Sequence, residues 1–297
     1  MREQGPIVVP LDGSELAEGA VPYAAALARG LGAKLVLVTA WEGTESELGA
    51  DFPSMAMEVE QKATAYFGEY LDRVKSGLPP GVEAEVMIRA GDAADEIIQA
   101  VGETGARMLV MATHGRSGIG RWMYGSTAGH LLRHATVPIV AVGPHALERS
   151  GAEIAFKHIM VPLDGSALSE QAVPVATSLA SAFGARISLV RGVRWAVQAY
   201  PYSLPDAYIP QVDQELEAGA KKYLQRHQQS ISGVEAHSFI VRGAVAEGLI
   251  DFVDKESVDL VVMTTHARSG LARAALGSVA DRMLQAVAPI MLIRPEG

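Results

Sequence analysis

Pro10-Leu11-Asp12-Gly13-Ser14 returns as Pro162-Leu163-Asp164-Gly165-Ser166, and this pair decides how the chain is read. Outward from it, the same interval of 152 residues holds far downstream, from Asp12 to Asp164 and from Gly125 to Gly277. Ala20-Val21-Pro22 answers to Ala172-Val173-Pro174, Gly91 to Gly243, His114 to His266, and Arg116-Ser117-Gly118 to Arg268-Ser269-Gly270. A period of that size is a domain's length and far exceeds a solenoid repeat, so one domain has been duplicated and fused. The 297 residues fit two domains of about 150. They are placed at residues 1–144 and 155–297, with Gly143 to Phe156 as the linker.

Each copy opens on a short apolar run, Ile7 to Leu11 or Ile159 to Leu163, of the kind that forms a buried parallel strand. Ser14 and Ser166 follow as N-cap candidates for a helix reaching about Leu31 or Phe183. Pro22 and Pro174 then kink that helix or mark its true first turn, because proline in a helix interior costs about 3 kcal/mol. Further strands are expected at Lys34 to Thr39, Val82 to Arg89, Met108 to Ala112 and near Pro138, and at their counterparts, with helices between them. Alternation of this kind predicts an α/β fold. Each half is a doubly wound, five-stranded parallel sheet with helices on both faces. The loops Trp41 to Pro53 and Trp195 to Pro210 differ, the first rich in carboxylates and the second in Tyr and Pro.

Apolar residues make up 49% of the chain and charged residues 20%, the composition of an ordinary globular protein. The net charge of −9 argues against nonspecific attraction to nucleic acid or to an anionic membrane. Cysteine is absent, which removes disulfides, thiolate nucleophiles and cysteine-ligated metals. No apolar run approaches the roughly 20 residues needed to cross a bilayer. The first residues lack the apolar segment of a signal peptide, and the expectation is a cytoplasmic protein.

The chemistry concentrates after the fourth strand, where the first copy reads Ala112-Thr113-His114-Gly115-Arg116-Ser117-Gly118-Ile119-Gly120-Arg121-Trp122-Met123-Tyr124-Gly125-Ser126. Glycine lets backbone amides approach an anion, and amides at a helix N-terminus point at it. Gly125-Ser126 is thus either a phosphate seat, with Arg116 or Arg121 supplying charge, or an ordinary helix start. Asp12 and Asp164 at their strand ends either accept from ribose hydroxyls or organise a turn. If the first and fourth strands are neighbours where strand order reverses, both features face one crevice, and their recurrence in both copies then favours a ligand. His114 and His266 contact that ligand or hydrogen-bond the backbone, and no partner at metal-ligand spacing accompanies them. Met111 and Met263 read as core.

On these motifs the chain resembles the universal stress protein family, in its tandem two-domain form. The nucleotide-binding branch of that family carries Gly, two residues, Gly, nine residues, then Gly followed by Ser or Thr. The anchors here are Ala112, Gly115 and Gly125-Ser126 in the first copy, and Thr264, Ala267 and Gly277-Ser278 in the second. The resemblance implies an ATP site, with Mg2+ on the phosphates, and a regulatory role in the stress response. The residues it implies are Pro10, Leu11, Asp12, Ala40, Ala112, His114, Gly115, Arg116, Gly125, Ser126 and Thr127. Their counterparts are Pro162, Leu163, Asp164, Gly192, Thr264, His266, Ala267, Arg268, Gly277, Ser278 and Val279. Because Thr264 and Ala267 stand where the family pattern has glycines, while the first copy retains Gly115, the second site is expected to bind ATP more weakly or not at all.

The alternative is an interaction module whose glycine loops are only structural. An ATP-consuming enzyme is disfavoured: the chain has no Gly-x-x-x-x-Gly-Lys-Ser/Thr loop and no Gly-x-Ser-x-Gly elbow, so any hydrolysis is a slow side activity. The resemblance also implies pairing through the final strands, Pro138 to Val142 with Pro289 to Ile293, as an intrachain domain pair that can further form a homodimer.

Overall fold

A computed structural model describes residues 4–42, 52–113, 125–148, 154–194, 210–265 and 277–294. The chain divides into two compact units, Met1–Ile154 and Ala155–Gly297. In the first unit the strands are β1 (Ile7–Pro10), β2 (Leu35–Trp41), β3 (Ala84–Ala90), β4 (Met108–Ala112) and β5 (Ile139–Val142). They lie in the order β3-β2-β1-β4-β5, and every described pairing among them is parallel. The second unit repeats this with β6 (His158–Pro162), β7 (Arg186–Val193), β8 (Ala236–Arg242), β9 (Leu260–Thr264) and β10 (Ile290–Ile293), in the order β8-β7-β6-β9-β10. Its described pairings are parallel as well.

Even the register repeats. Ile7 stands opposite Leu35 and Met108, and Ile159 opposite Ile187 and Leu260. Parallel strands covered on both faces must be apolar throughout, and Ile7, Val8, Val9, Met108, Leu109 and Val110 are all fully buried.

The helices of the first unit are α1 (Glu15–Glu18), α2 (Val21–Leu31), α3 (Pro53–Ser76), α4 (Ala93–Glu103), α5 (Ser126–His134) and α6 (Pro144–Leu147). Those of the second are α7 (Ala167–Glu170), α8 (Ala172–Phe183), α9 (Pro210–Ser230), α10 (Val245–Lys255) and α11 (Ser278–Met283). They cover both faces of the sheets, completing the doubly wound α/β fold.

The structure settles Pro22 as the true first turn of a helix, one of its two sequence readings, and departs from expectation in the linker. The single helix expected after Ser14 is two, because α1 stops after one turn and α2 restarts with Pro22 in its own first turn, where no amide hydrogen is needed. In the second unit Pro174 is likewise the third residue of α8. The expected linker also begins with structure: Pro144–Leu147 is helical, Ala146 is fully buried, and its carbonyl accepts from the Tyr23 hydroxyl at 2.6 Å. That turn is thereby tied to α2. The contrasting loops after β2 and β7 lie largely outside the described residues.

Candidate functional site

In each unit the strand order reverses between the first and fourth strands, β1 and β4 or β6 and β9. Crevices in open α/β sheets form at the carboxyl ends of such strands. β1 ends in the turn Leu11 to Ser14. Asp12 accepts through Oδ1 from both the Ser14 amide, at 2.9 Å, and the Ser14 hydroxyl, at 2.6 Å. Ser14 Oγ in turn accepts from the Ala17 amide at 3.2 Å and caps α1. Gly13, at φ 82°, takes the left-handed conformation that this turn demands. The second unit repeats each contact: Ser166 donates to Asp164 at 2.9 and 2.6 Å, the Ser169 amide donates to Ser166 at 3.2 Å, and Gly165 has φ 91°. Both aspartates therefore organise a turn, which was one of their two sequence readings. They also line a cavity.

That cavity in the first unit is about 240 Å³ and is walled by Pro10, Leu11 and Asp12 from the end of β1, Ala40 from β2 and Ala112 from β4. Gly125, Ser126 and Thr127, at the start of α5, close it. The second unit's cavity is about 650 Å³, with Pro162, Leu163, Asp164, Gly192, Thr264, Gly277, Ser278 and Val279 in the equivalent places. Pockets that enclose small ligands run from about 300 to 1,000 Å³, so the second falls inside that range and the first just below it. The sequence expectation ranked the second site below the first, whereas the second crevice is the roomier. His114, Gly115, Arg116, His266, Ala267 and Arg268 lie outside the described residues.

The two walls differ in ways that repetition could not show. Arg191 and Arg194 line the second crevice at the end of β7, where the first copy has Thr39 and Glu42. Thr39 is buried and its hydroxyl donates to the Leu11 carbonyl at 2.9 Å, so it closes the β1–β2 seam. Gly192 faces Val245, where a Cβ would lie 2.5 Å from Val245 Cγ1, while the first copy has Ala40 and Ala93. Ser169 occupies the position of Ala17, and Met111 and Met263, read as core, are buried but also form crevice wall. A residue-by-residue subtraction of the two copies would have flagged the arginines.

Two tyrosines back the strand-end turns. Burial, reinforced by the Glu18 carboxylate, holds the Tyr70 hydroxyl of α3 protonated well above its usual range. Tyr223 of α9 is pushed up to about 12 by burial and by Glu170. Neither supplies a base at neutral pH. Among the described residues no cluster of three or more His, Cys, Asp or Glu is placed to hold a metal, and no helix is long and apolar enough to cross a membrane.

A profile of the universal stress protein family matches the chain twice, over residues 5–143 and 155–294. The chain belongs to the universal stress protein family. A universal stress protein of Mycolicibacterium smegmatis is 26% identical over 303 residues that cover 97% of both chains. One from Methanocaldococcus jannaschii is 28% identical over 160 residues, 50% of this chain and 88% of that protein. The crystal structure of a universal stress protein from Archaeoglobus fulgidus covers 97% of this chain and 98% of its own, with a TM-score of 0.68 and 17% sequence identity. This universal stress protein thus carries the family's domain twice, and the last likeness is one of fold.

Proposed function

We propose that this universal stress protein binds an adenine nucleotide, ATP above all, in the strand-end crevices, and that it acts in the stress response as a regulator rather than as a catalyst. One observation carries the reading. Residues that recur at the 152-residue interval, Asp12 with Gly125-Ser126 and Asp164 with Gly277-Ser278, come together in one crevice per unit at the point where strand order reverses. Sequence separation of more than a hundred residues makes such convergence a poor fit to independent local caps.

In the first unit the nine-residue helix α5 aims its first amides into the same space as Asp12, an arrangement suited to phosphates at one end and ribose hydroxyls at the other. Mg2+ would arrive on the phosphates, its usual mode where few carboxylates are available.

The test is calorimetric titration of the full chain with ATP, and Gly125→Val is the informative variant. Gly125 has φ −53°, a conformation open to any residue, so valine fills the crevice without straining the backbone. Gly277, at φ 96°, would confound the same substitution with strain. ATP affinity should fall at least about tenfold in Gly125→Val while the unfolding temperature holds. Unaltered affinity overturns the placement. A phosphate-release assay on the same samples checks the regulatory reading, for which turnover should be negligible.

A further inference from the structure

We propose that the second crevice contains an anion subsite, formed by Arg191 and Arg194 and absent from the first, which selects a ligand carrying a phosphate at the β7 end of the cavity. It does not require the first crevice to bind nucleotide.

The described lining of the first crevice carries Asp12 and no cation, whereas that of the second sets two arginines against Asp164. Among the described residues no carboxylate lies within 4.0 Å of either guanidinium. The nearby Glu170 is engaged elsewhere, by His227 at 3.2 Å and Arg226 at 3.7 Å. Both arginines line the same crevice, so an anion bound there is attracted by two positive charges.

Arg191 is also held in place. Its guanidinium carbon sits 4.7 Å from the centre of the Tyr223 ring, a cation–π contact. A Cβ at Gly165 would fall 2.8 Å from the guanidinium, so glycine there lets it approach the strand-end turn. A guanidinium held by a ring and a backbone turn loses little freedom on binding, and its planar fork suits phosphate oxygens. Arg194, one residue beyond β7, is exposed and adds a second positive charge to the lining.

Phosphate chemistry is shared by nucleotides and by phosphorylated metabolites that lack a base. The probe that isolates it is inorganic pyrophosphate, titrated calorimetrically into the full chain at low ionic strength. Wild-type protein should bind it saturably, and Arg191→Gln/Arg194→Gln should weaken that binding at least about tenfold with an unchanged unfolding temperature. Arg191→Lys, which keeps the charge but loses the fork, should fall between the two. Competition then identifies the source: displacement of pyrophosphate by ATP marks a nucleotide phosphate, and failure of ATP to displace it marks a phosphorylated ligand of another kind. No pyrophosphate binding by the wild type, or equal binding by the double variant, overturns the subsite. Neither result bears on ATP binding at Gly125, which has its own variant.

Discussion

Asp12 shows how one side chain can serve both a turn and a crevice. Its Oδ1 takes two hydrogen bonds from Ser14, so Ser14→Ala should loosen the turn and uncap α1, a loss of about 1 kcal/mol. Urea unfolding would read that loss, and calorimetry should show weaker ATP binding with it, since the crevice wall moves with the cap. The recurring residues of the site were legible in the sequence because duplication marks whatever both copies keep. Arg191, Arg194, Ser169 and Val245 were not, since each sits where the copies differ. The same contrast makes a second prediction. Gly192→Ala places a methyl 2.5 Å from Val245 Cγ1 and should destabilise the second unit by about 1–3 kcal/mol. Adding Val245→Ala recreates the Ala40 and Ala93 pair of the first copy and should recover most of that loss, a coupling that chemical denaturation of the single and double variants would measure.

Among the elements, the central strands were readable from their uninterrupted apolar runs, since a parallel strand buried on both faces admits little else. The break between α1 and α2 was signalled by Pro22, but α6 was hidden, because four residues give no periodicity to detect. One element carries a polar device that apolar patterning also conceals. His158 of β6 is buried, with Nε2 2.7 Å from Ser188 Oγ on β7 and Nδ1 3.0 Å from the Glu256 carbonyl. Burial, together with the neighbouring Arg186, holds its pKa below the usual imidazole value despite Asp259 nearby. The unfolded chain therefore takes up a proton that the folded one resists. Stability is intact above about pH 6.5 and declines as the pH falls from there towards the folded-state pKa, at no more than about 1.4 kcal/mol per unit. His158→Leu/Ser188→Val, which removes both members of the pair, should flatten that decline in thermal melts between pH 7 and pH 5.

At the scale of the whole molecule the first copy has Pro6 and Val36 where the second has His158 and Ser188, so acid should be felt by one unit ahead of the other. Calorimetric scans at pH 5 should resolve an earlier transition belonging to residues 155–294, and hydrogen exchange should assign it there; simultaneous loss of protection in both units would refute this. The two domains could be inferred from repetition and the crevice's place at the strand ends from the motifs, while the strand order and the size and charge of each crevice depend on pairings across the fold that no single stretch reveals. The pair Gly192 and Val245 also has a historical meaning. Between the two states now found in one molecule, Ala with Ala and Gly with Val, a lineage changing one residue at a time has two routes. The route through Ala with Val meets the 2.5 Å clash. The route through Gly with Ala avoids it, so the order in which the two residues change decides whether the intermediate carries the packing penalty.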